Sequence, residues 1–222
     1  MIFLLLFLVE LVSLFFCSKL LIRALAGLFY HLTKSHRITV HLLAFLFLPG
    51  TLIHELSHVL AAGALLVPVG NFELMPEIRE DGVKLGSAQI GKTDPLRRAL
   101  IGVAPVFFGV SIIIGVLYYL SARSDVRFWI FLALFYILFE AANTMFSSKK
   151  DLEGTLEVGF LIVGLFAAFY LLKFDAVFLW IGEILTKYEA QIQKADTFLL
   201  VPVIFDLVVY GVVRFTLGRM RL

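Results

Sequence analysis

Six stretches of about 20 apolar residues, separated by shorter polar segments, set the terms on which this chain can fold. They fall at residues 2–32, 39–66, 95–120, 126–146, 155–174 and 197–217. A helix of about 20 apolar residues spans the hydrocarbon core of a bilayer. Inside that core each backbone N–H and C=O must be satisfied within the structure, which favours helices. The expectation is an all-α polytopic membrane protein, one domain over residues 1–222, with about six transmembrane helices.

Composition agrees. Hydrophobic residues make up 61% of the chain and charged residues 16%, against about 25% charged in a soluble domain. Too little polar surface is available to coat a soluble core, which excludes a soluble enzyme. The formal net charge of +2 provides no strong field for polyanions, so no nucleic-acid partner is expected. The lone cysteine, Cys17, excludes a disulfide framework and a cysteine zinc cluster, and reads as a small apolar residue in a helix. The first basic residue is Lys19. A secretory leader would begin with a basic region and end at a small-residue cleavage site, so the first span reads as retained.

Two connecting regions carry structure of their own. Residues 72–78 and 83–90 read as strands around the turn Arg79-Glu80-Asp81-Gly82, a β-hairpin between helices 2 and 3. Thr93-Asp94-Pro95 reads as a helix start. In residues 176–192, Val177, Trp180, Ile181, Ile184, Leu185 and Tyr188 follow helical spacing, which predicts a helix lying in the membrane interface. With six alternating spans, the two sides hold 10 and 9 of the 19 basic residues. Charge therefore leaves the orientation open.

The second span contains His54-Glu55-Leu56-Ser57-His58. Residues i and i+4 share a helix face, so the two imidazoles can hold one Zn²⁺ while Glu55 takes a proton from its water. Chance produces this pattern in roughly one such chain in 200. Three ionisable side chains within five positions of a membrane span are costly, and such residues mark function. Pro49, one turn earlier, kinks or starts this helix. His31, His36 and His41 lie near span ends and read as interfacial.

Zinc needs a third protein ligand. Glu140, Asn143, Ser147 and Asp151 form one polar stripe at the end of the fourth span. Asp151 is the first candidate, with helix N-capping as its other reading. Glu140 is the second, while Glu10 and Asp206 read as packing or polar-network residues. With one span between them, spans two and four run the same way, so the histidines and Asp151 reach one side.

His54-Glu55-x-x-His58 in one span, followed by Asn143 and, eight residues later, Asp151, resembles the site-2 protease family of intramembrane zinc metalloproteases. Phe146 and Leu152 stand where that family's second motif has proline and glycine. Gly102-Val103-Ala104-Pro105 with Gly109 is similar to its middle core helix. The resemblance covers a core of about 39–154 and implies a minimal or divergent member. It implies peptide-bond hydrolysis in or near a transmembrane segment of a membrane-protein substrate. In that reaction His54, His58 and Asp151 hold Zn²⁺, Glu55 is the base, and Asn143 is a partner for substrate backbone or oxyanion. It also implies a multi-pass protein of the cell membrane, with the N-terminus, hairpin, Asp151 and C-terminus towards the cytoplasm. The competing reading is a catalytically inactive relative that acts as a membrane scaffold. Oligomeric state is left open.

Overall fold

The computed structural model describes residues 2–73, 77–79, 82–84, 87–146 and 149–219, with the side chains of 2–4, 72–88 and 149–155 outside the description. It consists of helices with one β-hairpin. The helices are α1 (Ile2–Thr33), α2 (His36–Leu46), α3 (Leu48–Ala64), α4 (Pro95–Ala122), α5 (Phe128–Thr144), α6 (Lys149–Leu171), α7 (Asp175–Lys187) and α8 (Glu189–Arg219). Between α3 and α4 lie β1 (Val69–Glu73), β2 (Glu77–Arg79), β3 (Gly82–Lys84) and β4 (Ser87–Ile90). β1 pairs with β4 and β2 with β3, both antiparallel, so the expected hairpin forms in two short ladders.

Local chemistry sets several boundaries. Asp94 caps α4: its Oδ1 accepts from the Arg97 N–H at 3.0 Å, and Pro95 follows at the first helical position. Ser35 Oγ accepts from the Ile38 N–H to start α2. Pro49 sits in the first turn of α3, and the axis bends by 66° between α2 and α3. A proline cannot donate the hydrogen bond that would continue α2 through this point.

The structure corrects the number of spans. Among the described residues, three helices are long and apolar enough to cross a membrane: α1, α4 and α8. A fourth span exists if the bent α2–α3 pair counts as one. Among the described residues, α5 with 17 residues and the stretch Leu156–Leu171 of α6 are apolar but shorter than the usual length. The expected interfacial helix becomes α7, which ends at Lys187, and residues 189–192 open α8 instead.

Helix direction departs from six alternating spans as well. Leu14 and Cys17 of α1 cluster with Leu199 and Val203 of α8, while Leu21, Ala24 and Leu25 cluster with Val213 and Leu217. α1 and α8 therefore run parallel, whereas a first and a sixth alternating span would be antiparallel. α4 runs against them. Tyr118 in its last turns lies 4.8 Å from Lys194 Nζ near the start of α8, and Ile113 lies in the core with Leu14 and Leu199. The start of α1 and the end of α8 thus lie at opposite ends of the molecule. That corrects the shared side expected for the two termini. The end of α1, the hairpin and the start of α4 gather at one end, and the bent α2–α3 pair connects them.

Candidate functional site

The buried residues of α3 are Gly50, Thr51, His54, Glu55, Ser57, His58 and Ala62. Leu52, Leu56 and Leu60 on the other face are exposed. This helix therefore buries its polar side against α4 and α5 and turns leucines outward, as a bilayer requires. His54 is 2% exposed, with Glu55 and His58 at 8%. The two imidazole centroids lie 4.9 Å apart, nearly perpendicular. Helical i, i+4 spacing brings them together without help from another element.

His58 Nδ1 lies 2.8 Å from the Ile101 carbonyl oxygen on α4. A carbonyl can only accept, so Nδ1 carries a proton and donates; in the neutral ring the lone pair is then on Nε2. A bond of this kind fixes the tautomer and orientation of a neutral imidazole, as outer-shell partners do for histidines that ligate metals. Ser57 Oγ donates to the His54 carbonyl at 2.6 Å. The donor chemistry of His54 and His58 fits zinc, supplying two imidazoles of the usual three protein ligands.

The acids divide. Asp151 is the third residue of α6, past the cap position expected for it, and its side chain lies outside the described residues. Glu140 is fully buried and serves α3 itself: its Oε2 accepts from the Gly50 N–H at 2.8 Å. Gly50 is in the first turn of α3, where backbone N–H groups have no partner inside the helix. The carboxylate caps that turn from α5 and stands at the positive end of the helix dipole. Among the described residues, no three His, Cys, Asp or Glu side chains gather as a metal-ligand set.

Asn143 is 2% exposed, and its amide nitrogen donates to the Phe139 carbonyl at 3.0 Å and to Asp206 Oδ1 at 2.9 Å. Both amide hydrogens are thereby engaged, and Asn143 ties α5 to α8. Asp206, expected to be a packing or polar-network residue, has this partner on α5. Phe146, the departure from the family motif, packs edge-on against Phe15 of α1 at 5.6 Å.

Two glycines let these helices meet. A Cβ at Gly50 would lie 2.6 Å from Thr144 Cγ2 and 2.8 Å from Glu140 Oε2. A Cβ at Gly109 would lie 2.8 Å from Met145 Cβ. Close approach through small residues is how membrane helices pack. Sequence reasoning noticed Pro49-Gly50 but missed the partnership of Glu140 with Gly50. The available signal was an acid in the stretch 128–144, which holds no base. No family model, curated protein or solved structure matches this chain.

Proposed function

We propose that the chain is an intramembrane zinc metalloprotease that hydrolyses a peptide bond in or near a transmembrane segment of another membrane protein. The observation that carries this reading is the fixed His58 tautomer beside His54, with Glu55 buried on the same apolar-membrane helix. An apolar helix has no packing need for three ionisable groups in five positions, and a purely structural metal site has no need of Glu55.

In this reading His54 and His58 hold the metal, with Asp151 as third ligand. Zinc there would supply Lewis-acid activation of water and of the scissile carbonyl. The Ile101 carbonyl orients His58 and, in the neutral ring, leaves the lone pair on Nε2. The Glu55 carboxylate accepts the proton of the attacking water and returns it to the leaving nitrogen. A transmembrane helix must be extended before cleavage, and an edge of the hairpin gives an unwound segment backbone partners. The cytoplasm is the side towards which this site opens.

The second reading is an inactive membrane scaffold. It draws on Asn143, whose amide hydrogens are already committed to Phe139 and Asp206. One experiment separates the two. Zinc is measured in the purified protein, and cleavage of a reporter membrane protein is compared between wild type and Glu55→Gln. The protease reading expects about one zinc per chain in both, and a loss of about 100-fold or more in cleavage for the variant. Bound zinc with no cleavage dependent on Glu55 would leave the scaffold.

A further inference from the structure

The parallel course of α1 and α8 collects positive charge that the linear sequence scatters. No acidic residue occurs between Leu11 and Ile53, and none after Asp206. Gly27 of α1 faces Leu217 of α8, with 3.6 Å between its Cβ position and Leu217 Cδ1, so these two acid-free stretches lie side by side. Ala24 and Val213 share a cluster, which puts the neighbouring Arg23 and Arg214 at one level, and both are exposed. Lys34 and Arg37 are exposed at the turn between α1 and α2. Arg219 is exposed in the last turn of α8, its guanidinium 4.6 Å above the Phe215 ring. A cavity of about 370 Å³ is lined by Arg214, Phe215, Leu217 and Gly218.

Among the described residues none of these five bases forms an ion pair. From Arg23 to Lys34 they cover about 16 Å along α1, at 1.5 Å per residue. That is the depth from the headgroups into the upper acyl region, where long basic side chains snorkel towards phosphate. The opposite end differs: Lys173, Lys187 and Lys194 there alternate with Asp175, Glu183, Glu189 and Asp196. On the acid-free stretches of α1, α2 and α8 the like charges repel one another unless an anion joins them.

We propose that this end of the protein, formed by the last turns of α1 and α8 and the α1–α2 turn, binds the headgroup phosphates of anionic phospholipids. The five bases are the ligands, and the apolar wall at Phe215 and Leu217 lies alongside an acyl chain. The same end receives the hairpin and the start of α4, where residues 67–98 carry five bases and five acids; counted in bases, as the positive-inside rule counts, it is the cytoplasmic end. This inference rests on the helix course and is independent of the zinc reading.

The test is native mass spectrometry of the full chain in uncharged detergent, given equal amounts of phosphatidylglycerol and phosphatidylcholine. Each surface base is worth roughly fivefold in attraction to an anionic lipid. The wild type is expected to retain phosphatidylglycerol over phosphatidylcholine, with the preference falling about tenfold or more in Arg23→Gln/Arg214→Gln/Arg219→Gln. Lys187→Gln/Lys194→Gln, at the other end, should keep it. If the triple variant does not fold, Lys34→Gln/Arg37→Gln at the exposed turn replaces it, with a smaller loss. Equal retention of the two lipids by the wild type overturns the proposal. So does a preference that survives neutralisation of the α1–α8 end, or one that falls equally at the other end.

Discussion

α3 and the α6–α7 pair are both apolar enough to sit in a membrane, yet they are used in opposite ways. α3 buries seven residues, most of them polar or small, and shows its leucines outside. α7 buries none, and the stretch 156–171 of α6 is exposed nearly throughout, touching α7 through Phe166 and Phe178 at 6.2 Å. In water such exposure would mean aggregation. In lipid it carries no penalty, because acyl chains solvate a leucine as well as a protein does. The arrangement of this molecule is therefore held by its polar and small residues, and the apolar ones chiefly keep it in the bilayer.

The sharpest way to break that contrast is at the α3–α5 contact. Gly50→Ala places a methyl group against Thr144 and Glu140, and is expected to cost about 1–3 kcal/mol. Adding Thr144→Ala should restore part of it, because the two sites touch. Glu140→Ala leaves the Gly50 N–H buried without its acceptor, for a loss of about 1–3 kcal/mol. Glu140→Gln, which keeps an oxygen there, should cost less. Thermal unfolding in detergent reads all four. Full stability in Gly50→Ala would mean that α3 and α5 do not meet this closely.

A smaller effect is expected on the other side of the comparison. Leu161→Ala on α6 and Leu179→Ala on α7 remove side chains that are 56% and 69% exposed. Each should change stability by no more than about 0.5 kcal/mol. A loss as large as that at Gly50 would mean that another protein surface covers this face.

The same contrast explains what could be read from the sequence. The His54–His58 pair, the hairpin and the Asp94 cap were legible because each depends on residues a few positions apart. The number of spans was not, since hydropathy reports membrane solubility and not whether a segment crosses. Pro49 was legible as a break, but not the 66° turn it accompanies. The Gly50–Glu140 and Asn143–Asp206 bonds join residues 90 and 63 positions apart. Their chemistry gave no hint of partner, because a buried acid accepts equally well from a backbone N–H or an amide and can also ligate a metal. The parallel pairing of α1 and α8 was hidden for a related reason: leucine stripes fit either direction.

The weakest expected effect tests the cap of α4, outside the membrane-spanning segment. The Arg97 N–H, 3.0 Å from Asp94 Oδ1, holds this carboxyl below its ordinary 3.8, helped by the Arg97 guanidinium 3.3 Å from Oδ2. A folded-state pKa below the unfolded one means stabilisation that is complete above the unfolded value. It is lost as pH falls through the folded one. The cap should therefore be at full strength near neutrality and fade below about pH 4. Because Asp94 is solvent-exposed, the effect belongs to the first turn of α4 rather than to global unfolding. Hydrogen exchange at residues 97–99 should be faster in Asp94→Ala than in wild type at neutral pH, with the difference closing in acid. Asp94→Asn keeps a capping oxygen without a titrating charge, so its protection should stay level across the same range. An Asp94→Ala difference that persists unchanged below pH 4 would mean that the neutral acid caps as well as the carboxylate, leaving the charge no part in it.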